Sequence, residues 1–193
     1  MKYEQAKKLV RKNLSEKRYT HTKNVKKMAV KLAKRWGADP EKAALAAILH
    51  DAAKELPKDR QLQIFAENAI IAENAPMRPT SVWHGIAAAI LCETKWDVHD
   101  PEVLSAIRCH TTGKPGMSLL DKIIYMADMT SAERDYPGVE ALREEEFEDL
   151  DMALLHALKR TVDFVKEKGG RLDDQSVAAY EDLCAQLGVR AQQ

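Results

Sequence analysis

The run Ala43–Leu49 consists only of alanine, leucine and isoleucine, and two polar residues, His50 and Asp51, follow it directly. Pro40 marks the first turn of a helix that is predicted to reach about Leu56. A helix that is apolar on nearly every side is usually buried. An imidazole and a carboxylate at its end therefore need a compensating partner, and a divalent cation is the strongest candidate.

The rest of the chain shows helical periodicity, and no segment has the alternating pattern of a strand. The further predicted helices span residues 3–17, 19–36, 59–74, 81–95, 101–110, 119–130, 139–147, 150–168 and 173–187. The predicted fold class is therefore all-α. A chain of 193 residues fits one domain, with a metal-site core at about 18–130 and C-terminal helices at about 139–188.

The composition of the chain limits which classes of partner it is expected to bind. Thirty Lys and Arg residues balance thirty Asp and Glu residues, which argues against a nucleic-acid polymer as a partner. No apolar stretch is long enough for a membrane helix, so no membrane partner is expected. The N-terminus lacks the apolar core of a signal peptide, and three scattered cysteines suit reduced thiols. These features predict a cytoplasmic protein with a small-molecule ligand. They leave the oligomeric state open, with a homodimer as one option.

Candidate metal ligands recur along the chain at helix ends and on apolar faces. His21 begins an apolar stripe, His84 and His110 lie at helix–loop boundaries, and Asp128 ends the segment IIYMAD. With His50 and Asp51, they supply four imidazoles and two carboxylates, enough ligands for two metal ions. Nitrogen and oxygen ligands without thiolates suit iron or manganese better than structural zinc.

Other polar residues have structural interpretations. His99 is expected on the surface, whereas His156, among leucines, is expected to be buried and hydrogen-bonded. The acidic run Glu144–Glu146 is interpreted as a solvated face. Cys109 is predicted to be a packed thiol turned away from His110.

The ordered set His21, His50-Asp51, His84, His110 and Asp128 resembles the HD-domain phosphohydrolases, whose core pattern is H…HD…D. Four segments extend the likeness to the YqeK family of symmetrical bis(5′-nucleosyl)-tetraphosphatases: HDAAKEL at 50–56, HG at 84–85, HTTGKPGMSLLDKIIYMAD at 110–128 and RDYPGVEALR at 134–143. The chain departs from that family at Met129–Glu133, where the family usually has a Tyr-Ile-Glu-Pro-like segment. This departure leaves the metal set intact and concerns the substrate pocket.

The resemblance implies an all-α HD-domain helical bundle that binds iron and hydrolyses diadenosine tetraphosphate (Ap4A) to two ADP. It implies that His21, His50, Asp51 and Asp128 hold one metal, and that Asp51 bridges to a second site completed by His84 and His110. Paired metals of this kind activate water and stabilise phosphoryl charge.

Substrate contacts are expected beside these ligands. Lys54 lies three residues after Asp51 on one helical face and is expected to contact the reacting phosphate, as a catalytic and substrate-binding residue. The loop residues Thr111, Thr112, Gly113 and Lys114 are further phosphate-binding candidates. Arg134 is either a phosphate or base contact or a surface ion-pair partner of Asp135.

Three alternatives remain open from the sequence. The same site could serve another nucleotide hydrolase, such as a nucleotidase or a (p)ppGpp-type enzyme. A similar ligand set could belong to a di-iron oxygenase, although Lys54 and the glycine-containing loop favour hydrolysis. A non-catalytic nucleotide-binding domain would use the metal only for structure.

Overall fold

The computed structural model describes residues 1–191, and these residues form eleven α-helices, one short 3-10 helix and no strand. The all-α prediction is therefore confirmed. The helices are α1 (Tyr3–Asn13), α2 (Glu16–Trp36), α3 (Pro40–Leu49), α4 (Lys58–Glu67), α5 (Ala69–Ala72), α6 (Trp83–Lys95), α7 (Pro101–Cys109), α8 (Leu119–Thr130), α9 (Val139–Glu148), α10 (Leu150–Glu167) and α11 (Asp174–Leu187), and the 3-10 helix covers Ala75–Met77.

Side-chain caps fix where several helices begin. Asp39 Oδ1 accepts hydrogen bonds from the first-turn backbone of α3, and Asp100 does the same for α7. Ser118 and Asp121 form a reciprocal capping box at the start of α8. Asp173 caps α11, and Gly188, with φ 67°, ends it. Each of these helix ends agrees with the expectation from the sequence.

Helix boundaries differ from the prediction where a competing local bond intervenes. The predicted helix 3–17 ends at Asn13 because Ser15 caps α2, accepting from Arg18 N at 3.2 Å. The helix expected to reach Leu56 ends at Leu49, and hydrogen-bonded turns follow it.

The segment predicted as one helix at 59–74 also breaks at Asn68, into α4 and α5. The helix predicted from residue 81 begins as α6 at Trp83, and Ser81 does not cap it. The amide of Asn68 donates back to the carbonyl of Ile64 at 2.8 Å. Such side chain–backbone bonds compete with the helical ladder.

Helix α3 occupies the centre of the bundle. It packs against α1, α2, α7 and α8, while α6 covers α7. Ala46, Ala47, Ile48 and Leu49 are fully buried. This burial carries the next residues, His50 and Asp51, into the interior between α2, α7 and α8. At the other end of the fold, α10 packs on α8, α9 and α11.

Two structural interpretations from the sequence are wrong about burial. His156 is exposed and pairs with Glu145 at 2.8 Å, because its position on α10 faces away from the buried leucines. Glu146 is fully buried rather than solvated, whereas Glu144 is exposed. His99 is exposed and Cys109 buried, as expected.

None of the helices in residues 1–191 combines the length and the apolarity needed to cross a lipid bilayer.

The buried carboxyl of Glu146 braces the end of α8. Thr130 Oγ1 lies 2.8 Å from the Met126 carbonyl and 2.9 Å from Glu146 Oε2. A hydroxyl has one proton, so both contacts are satisfied when Glu146 is protonated. Burial raises the pKa of Glu146 to about 8. In the unfolded chain the carboxyl of Glu146 ionises near its ordinary pKa of 4.5. As pH rises above that value, ionisation therefore stabilises the unfolded state while the folded state still holds its proton.

We expect the free energy of unfolding of the native chain to fall between pH 4.5 and 8, relative to that of Glu146→Gln. Each unit of pKa displacement corresponds to about 1.4 kcal/mol, so the gap should reach a few kcal/mol. Urea unfolding at pH 5 and pH 8 measures it. The matched variant Glu144→Gln, on the exposed side of α9, should unfold like the native chain at both values. A parallel pH dependence for Glu146→Gln would contradict this assignment.

Candidate metal centre

The carboxylate of Asp51 lies among four imidazoles. Its Oδ1 is 3.2 Å from His84 Nε2 and 3.6 Å from His110 Nε2. Its Oδ2 is 3.5 Å from both His21 Nε2 and His50 Nε2. Asp51 is 2% exposed, and all four histidines are buried. Each imidazole therefore directs the same nitrogen toward one carboxylate.

Asp128 on α8 adds a second carboxylate, with Oδ1 3.1 Å from His21 Nε2. The donor atoms fall into three groups within which all lie within 4.8 Å of one another: His21, His50 and Asp51; His50, His110 and Asp128; and Asp51, His84 and His110. The six predicted ligands thus converge on one site. The last group contains the residues expected at the second metal position, whereas the middle group combines residues expected at both positions.

Backbone carbonyls fix the orientation of two of these rings. His50 Nδ1 lies 2.7 Å from the Ala47 carbonyl, and His110 Nδ1 lies 2.8 Å from the Ile107 carbonyl. A carbonyl accepts only, so Nδ1 carries the proton in both rings. The lone pair then resides on Nε2, which faces Asp51. This is the tautomer that a histidine ligand requires.

A carboxylate plays the corresponding part for His21. Glu133 Oε1 accepts from His21 Nδ1, and Ser131 Oγ donates to the same oxygen at 2.7 Å. Asn24 Nδ2 donates to Glu133 Oε2 at 2.7 Å. Both oxygens of Glu133 are therefore held in place. Sequence reasoning placed Glu133 only in the segment that departs from the family pattern and did not identify this contact.

The donor set fits a divalent metal. The Nε2 atoms of His21 and His50 are buried and have no hydrogen-bond partner in residues 1–191. An unpartnered buried polar atom is costly, and coordination would remove that cost. Burial lowers the pKa of His84 to about 4, which keeps its imidazole neutral. The guanidinium of Arg18, 2.8 Å from Oδ2, favours the ionised form of Asp51. Neutral imidazoles and ionised carboxylates are the forms that bind metals.

Comparison with known proteins places this geometry in a family. A model of the HD domain matches residues 18–133, which is more than half of the chain and includes all six candidate ligands. The chain belongs to the HD-domain family. Over 183 residues it is 42% identical to a symmetrical bis(5′-nucleosyl)-tetraphosphatase of Bacillus subtilis (strain 168), covering 95% of this chain and 98% of that protein. A protein of the same name from Staphylococcus aureus (strain NCTC 8325 / PS 47) is 34% identical, with 87% of each chain covered.

A solved structure supports the fold of this HD-domain protein. The crystal structure of a predicted HD superfamily hydrolase involved in NAD metabolism, from Clostridium acetobutylicum, superposes with a TM-score of 0.91 at 38% sequence identity. The match covers 96% of this chain and 98% of that one. The chain therefore shares the fold of that HD-superfamily protein.

Three cationic side chains border the centre. Arg18 Nη1 lies 2.8 Å from Asp51 Oδ2, and Lys54 Nζ lies 3.3 Å from His84 Nε2. Arg134 Nη2 lies 2.5 Å from Asp128 Oδ1, rather than pairing with Asp135. Arg18 is not among the residues predicted for the site, although its position three residues before His21 on α2 is a usable signal.

The side chain of Lys54 is only partly buried. The residue as a whole is exposed, but its ammonium group reaches into the site. Desolvation of that ammonium lowers the pKa of Lys54, although the charge of Asp51 opposes the change. Since the side chain has an open side, a ligand can approach it.

The predicted phosphate-binding loop is largely occupied by contacts within the protein. Lys114 Nζ lies 3.2 Å from Asp121 and 2.7 Å from Ser105 Oγ. Gly113 has φ 66°, and a Cβ there would lie 3.0 Å from that of Ala179, so its glycine permits close packing with α11. Thr111 Oγ1 is buried and has no hydrogen-bond partner among residues 1–191.

The same loop also borders a cavity of about 660 Å³. Thr112, Gly113 and Lys114 line it, together with Arg78 and Arg108, whereas none of the six ligands does. The loop therefore faces a space beyond the metal centre. Sequence reasoning did not anticipate this cavity, because its walls come from segments far apart in the chain.

Replacing Glu133 tests whether it orients His21. We expect Glu133→Ala to weaken Mn²⁺ binding about 10–100-fold, because the ring loses the acceptor that fixes its tautomer and orientation. Glu133→Gln keeps an oxygen acceptor without the charge and should lose less. Calorimetric titration of metal-free protein with Mn²⁺ measures the affinity.

Glu148→Ala is the matched control, since Glu148 is an exposed acidic residue on α9 that is not part of the centre. Its Mn²⁺ affinity should equal that of the native chain. Unchanged affinity in Glu133→Ala would show that His21 needs no partner on Nδ1.

Proposed function

We propose that this HD-domain hydrolase cleaves diadenosine tetraphosphate symmetrically into two ADP, using a divalent metal, iron in the first instance, held by its six ligands. The observation that carries the proposal is the convergence of four imidazole Nε2 atoms on the buried carboxylate of Asp51. Relatives at 34–42% identity over most of their length bear the name of this activity.

The six candidate ligands would form two metal positions. His21, His50, Asp51 and Asp128 would hold one ion, and Asp51 would also serve a second position completed by His84 and His110. Bound there, the metal supplies Lewis acidity to the phosphoryl group and a more acidic water. The backbone carbonyls behind His50 and His110 and the carboxylate of Glu133 keep the rings pointed inward. This arrangement leaves little reorganisation for the reaction itself.

Cationic side chains at the border match the charge of the substrate. A tetraphosphate bridge carries about four negative charges at neutral pH, and guanidinium groups bind phosphate oxygens bidentately. Arg18 and Arg134 now face the carboxylates of Asp51 and Asp128. We propose that they contact the bridge on either side of the scissile bond, while Lys54 contacts the reacting phosphate.

The nucleoside ends need separate contacts. We propose that Thr112, Gly113 and Lys114 contribute to one nucleoside position through the cavity they line, with Thr111 beside them in the same segment. A volume of about 660 Å³ falls in the range of small-molecule sites.

The cysteines bear on where the reaction takes place. Cys92, Cys109 and Cys184 are all buried and free, with no disulfide between them. Reduced thiols are typical of proteins in the cytoplasm, which is the location we propose.

Product identification tests the reaction. Protein loaded with Fe²⁺ or Mn²⁺ should convert Ap4A into ADP alone, because the metal centre would act on the middle of the bridge. Formation of ATP and AMP would show asymmetric cleavage. Turnover of mononucleotides or of (p)ppGpp with Ap4A left intact would assign the site to another hydrolase, and O2-dependent oxidation would assign it to an oxygenase.

Three variants separate metal binding from catalysis. We expect His50→Ala and Asp51→Ala to lose both bound metal and Ap4A hydrolysis. Lys54→Ala should keep the metal and lower kcat about 100-fold or more, the usual loss when one electrostatic contact to a transition state is removed. Elemental analysis of each variant alongside steady-state rates measures both quantities.

Lys58→Ala provides the control, since this exposed lysine donates to Thr80 and lies outside the centre. It should behave like the native chain in both assays. Normal Ap4A hydrolysis by Asp51→Ala would overturn the assignment of the centre.

A further inference from the structure

Charge is distributed very unevenly along this chain. Residues 1–36 contain thirteen Lys and Arg against two Glu, a net charge of +11. Residues 37–193 contain seventeen Lys and Arg against twenty-eight Asp and Glu, a net charge of −11. The overall neutrality is therefore the sum of two large opposite charges. A local excess of this size determines which ligands approach a surface, whatever the total.

Most of the cations in residues 1–36 have no acidic partner. Of the thirteen, only Lys7, Arg11 and Arg18 form ion pairs within residues 1–191. The ten that form none are Lys2, Lys8, Lys12, Lys17, Lys23, Lys26, Lys27, Lys31, Lys34 and Arg35. These charges are not used to stabilise the fold through carboxylates.

The cations of the two helices come together on shared tyrosine rings. Arg11 of α1 and Lys23 of α2 lie 5.0 Å and 4.9 Å from the centre of the Tyr19 ring. Lys7 and Lys26 flank the ring of Tyr3 in the same way, at 6.0 Å and 5.5 Å. The two helices thus present a continuous cationic surface, here called the basic face.

A lysine stripe extends the basic face along α2. Lys23, Lys27, Lys31 and Lys34 follow one another at spacings of four, four and three residues, which places them on one side of the helix. Val25, Ala29 and Leu32 are fully buried on the opposite side. The 21 residues of α2 span about 30 Å, close to the length of one turn of a nucleic-acid duplex.

The acidic part of the chain offers no matching face. Its densest segment, residues 133–151, contains nine acidic residues and two arginines. Six of the nine are engaged within the protein as caps or as partners of His21, Thr130, Lys122, Arg143 and His156. A second copy of this chain therefore lacks the row of free carboxylates that the basic face would need.

A membrane is also a poor match for the basic face. The large exposed apolar residues described in the chain are Leu62, Ile70, Met77, Leu119, Phe164 and Val189, and none of them lies on α1 or α2. Helices that bind in the lipid interface insert an apolar side, and here the apolar sides of α1 and α2 are buried in the bundle.

We propose that the basic face binds the phosphate backbone of nucleic acid without sequence preference. Regularly spaced phosphates along a strand match a cationic surface that carries neither an apolar wedge nor an acidic partner. The balanced composition argued against a nucleic-acid partner because it averages the positive charge of residues 1–36 with the negative charge of residues 37–193. Binding at this face is separate from the metal centre, so it stands or falls independently of the proposed hydrolysis.

Fluorescence anisotropy with a labelled 20-nucleotide RNA and the corresponding duplex tests the proposal on the full chain. The triple variant Lys27→Gln, Lys31→Gln and Lys34→Gln should bind at least 10-fold more weakly at low salt. If each lysine neutralises one phosphate, the magnitude of the slope of log K against log salt should fall by about two on the single strand and by nearly three on the duplex. The triple variant should keep the helical circular dichroism and the Tm of the native chain, which shows that it is folded.

The matched control removes three exposed lysines elsewhere, as Lys58→Gln, Lys166→Gln and Lys168→Gln, with the same change in net charge. It should bind RNA within about twofold of the native chain. Equal weakening in both triple variants, or no binding of RNA or duplex by the native chain, would overturn the proposal. So would salt-sensitive self-association through the basic face, or binding to phosphatidylserine vesicles in place of nucleic acid.

Discussion

The structure depends on placing one ionised carboxylate inside the protein. Asp51 is 2% exposed and lies at the end of a helix whose preceding residues are fully buried. Isolated, such a charge would be protonated or expelled, because the interior cannot replace its hydration. Four imidazoles and the guanidinium of Arg18 surround it instead. Helices α2, α3, α6 and α7 must each bring a side chain to this point for those groups to meet.

A second set of contacts makes that arrangement specific. The carbonyls of Ala47 and Ile107 lie one helical turn before His50 and His110 and direct both rings inward. Glu133 performs the same task for His21 from a loop 112 residues away. Local helix geometry therefore orients two rings, whereas the third depends on the tertiary fold. Orienting contacts of this kind raise the affinity and basicity of metal ligands.

The sequence was sufficient for the all-α class and for the six residues that converge, because each one interrupts an apolar pattern at a helix end or face. Contacts between segments that are far apart in the chain could not be predicted from the sequence. Nothing local distinguishes Glu146, which is buried against Thr130, from Glu144, which is exposed. His156 looked buried among leucines, yet its side of α10 faces solvent. Lys114 looked free for phosphate until the fold placed Asp121 beside it.

The central claim is that the buried cluster around Asp51 is a metal centre, and locating the metal tests it most directly. Crystals of the protein soaked in Mn²⁺ should show anomalous scattering between Asp51 and the Nε2 atoms of the four histidines, at coordination distances of about 2.0–2.3 Å. Anomalous density confined to surface carboxylates, with the atoms around Asp51 joined only by hydrogen bonds, would contradict the account.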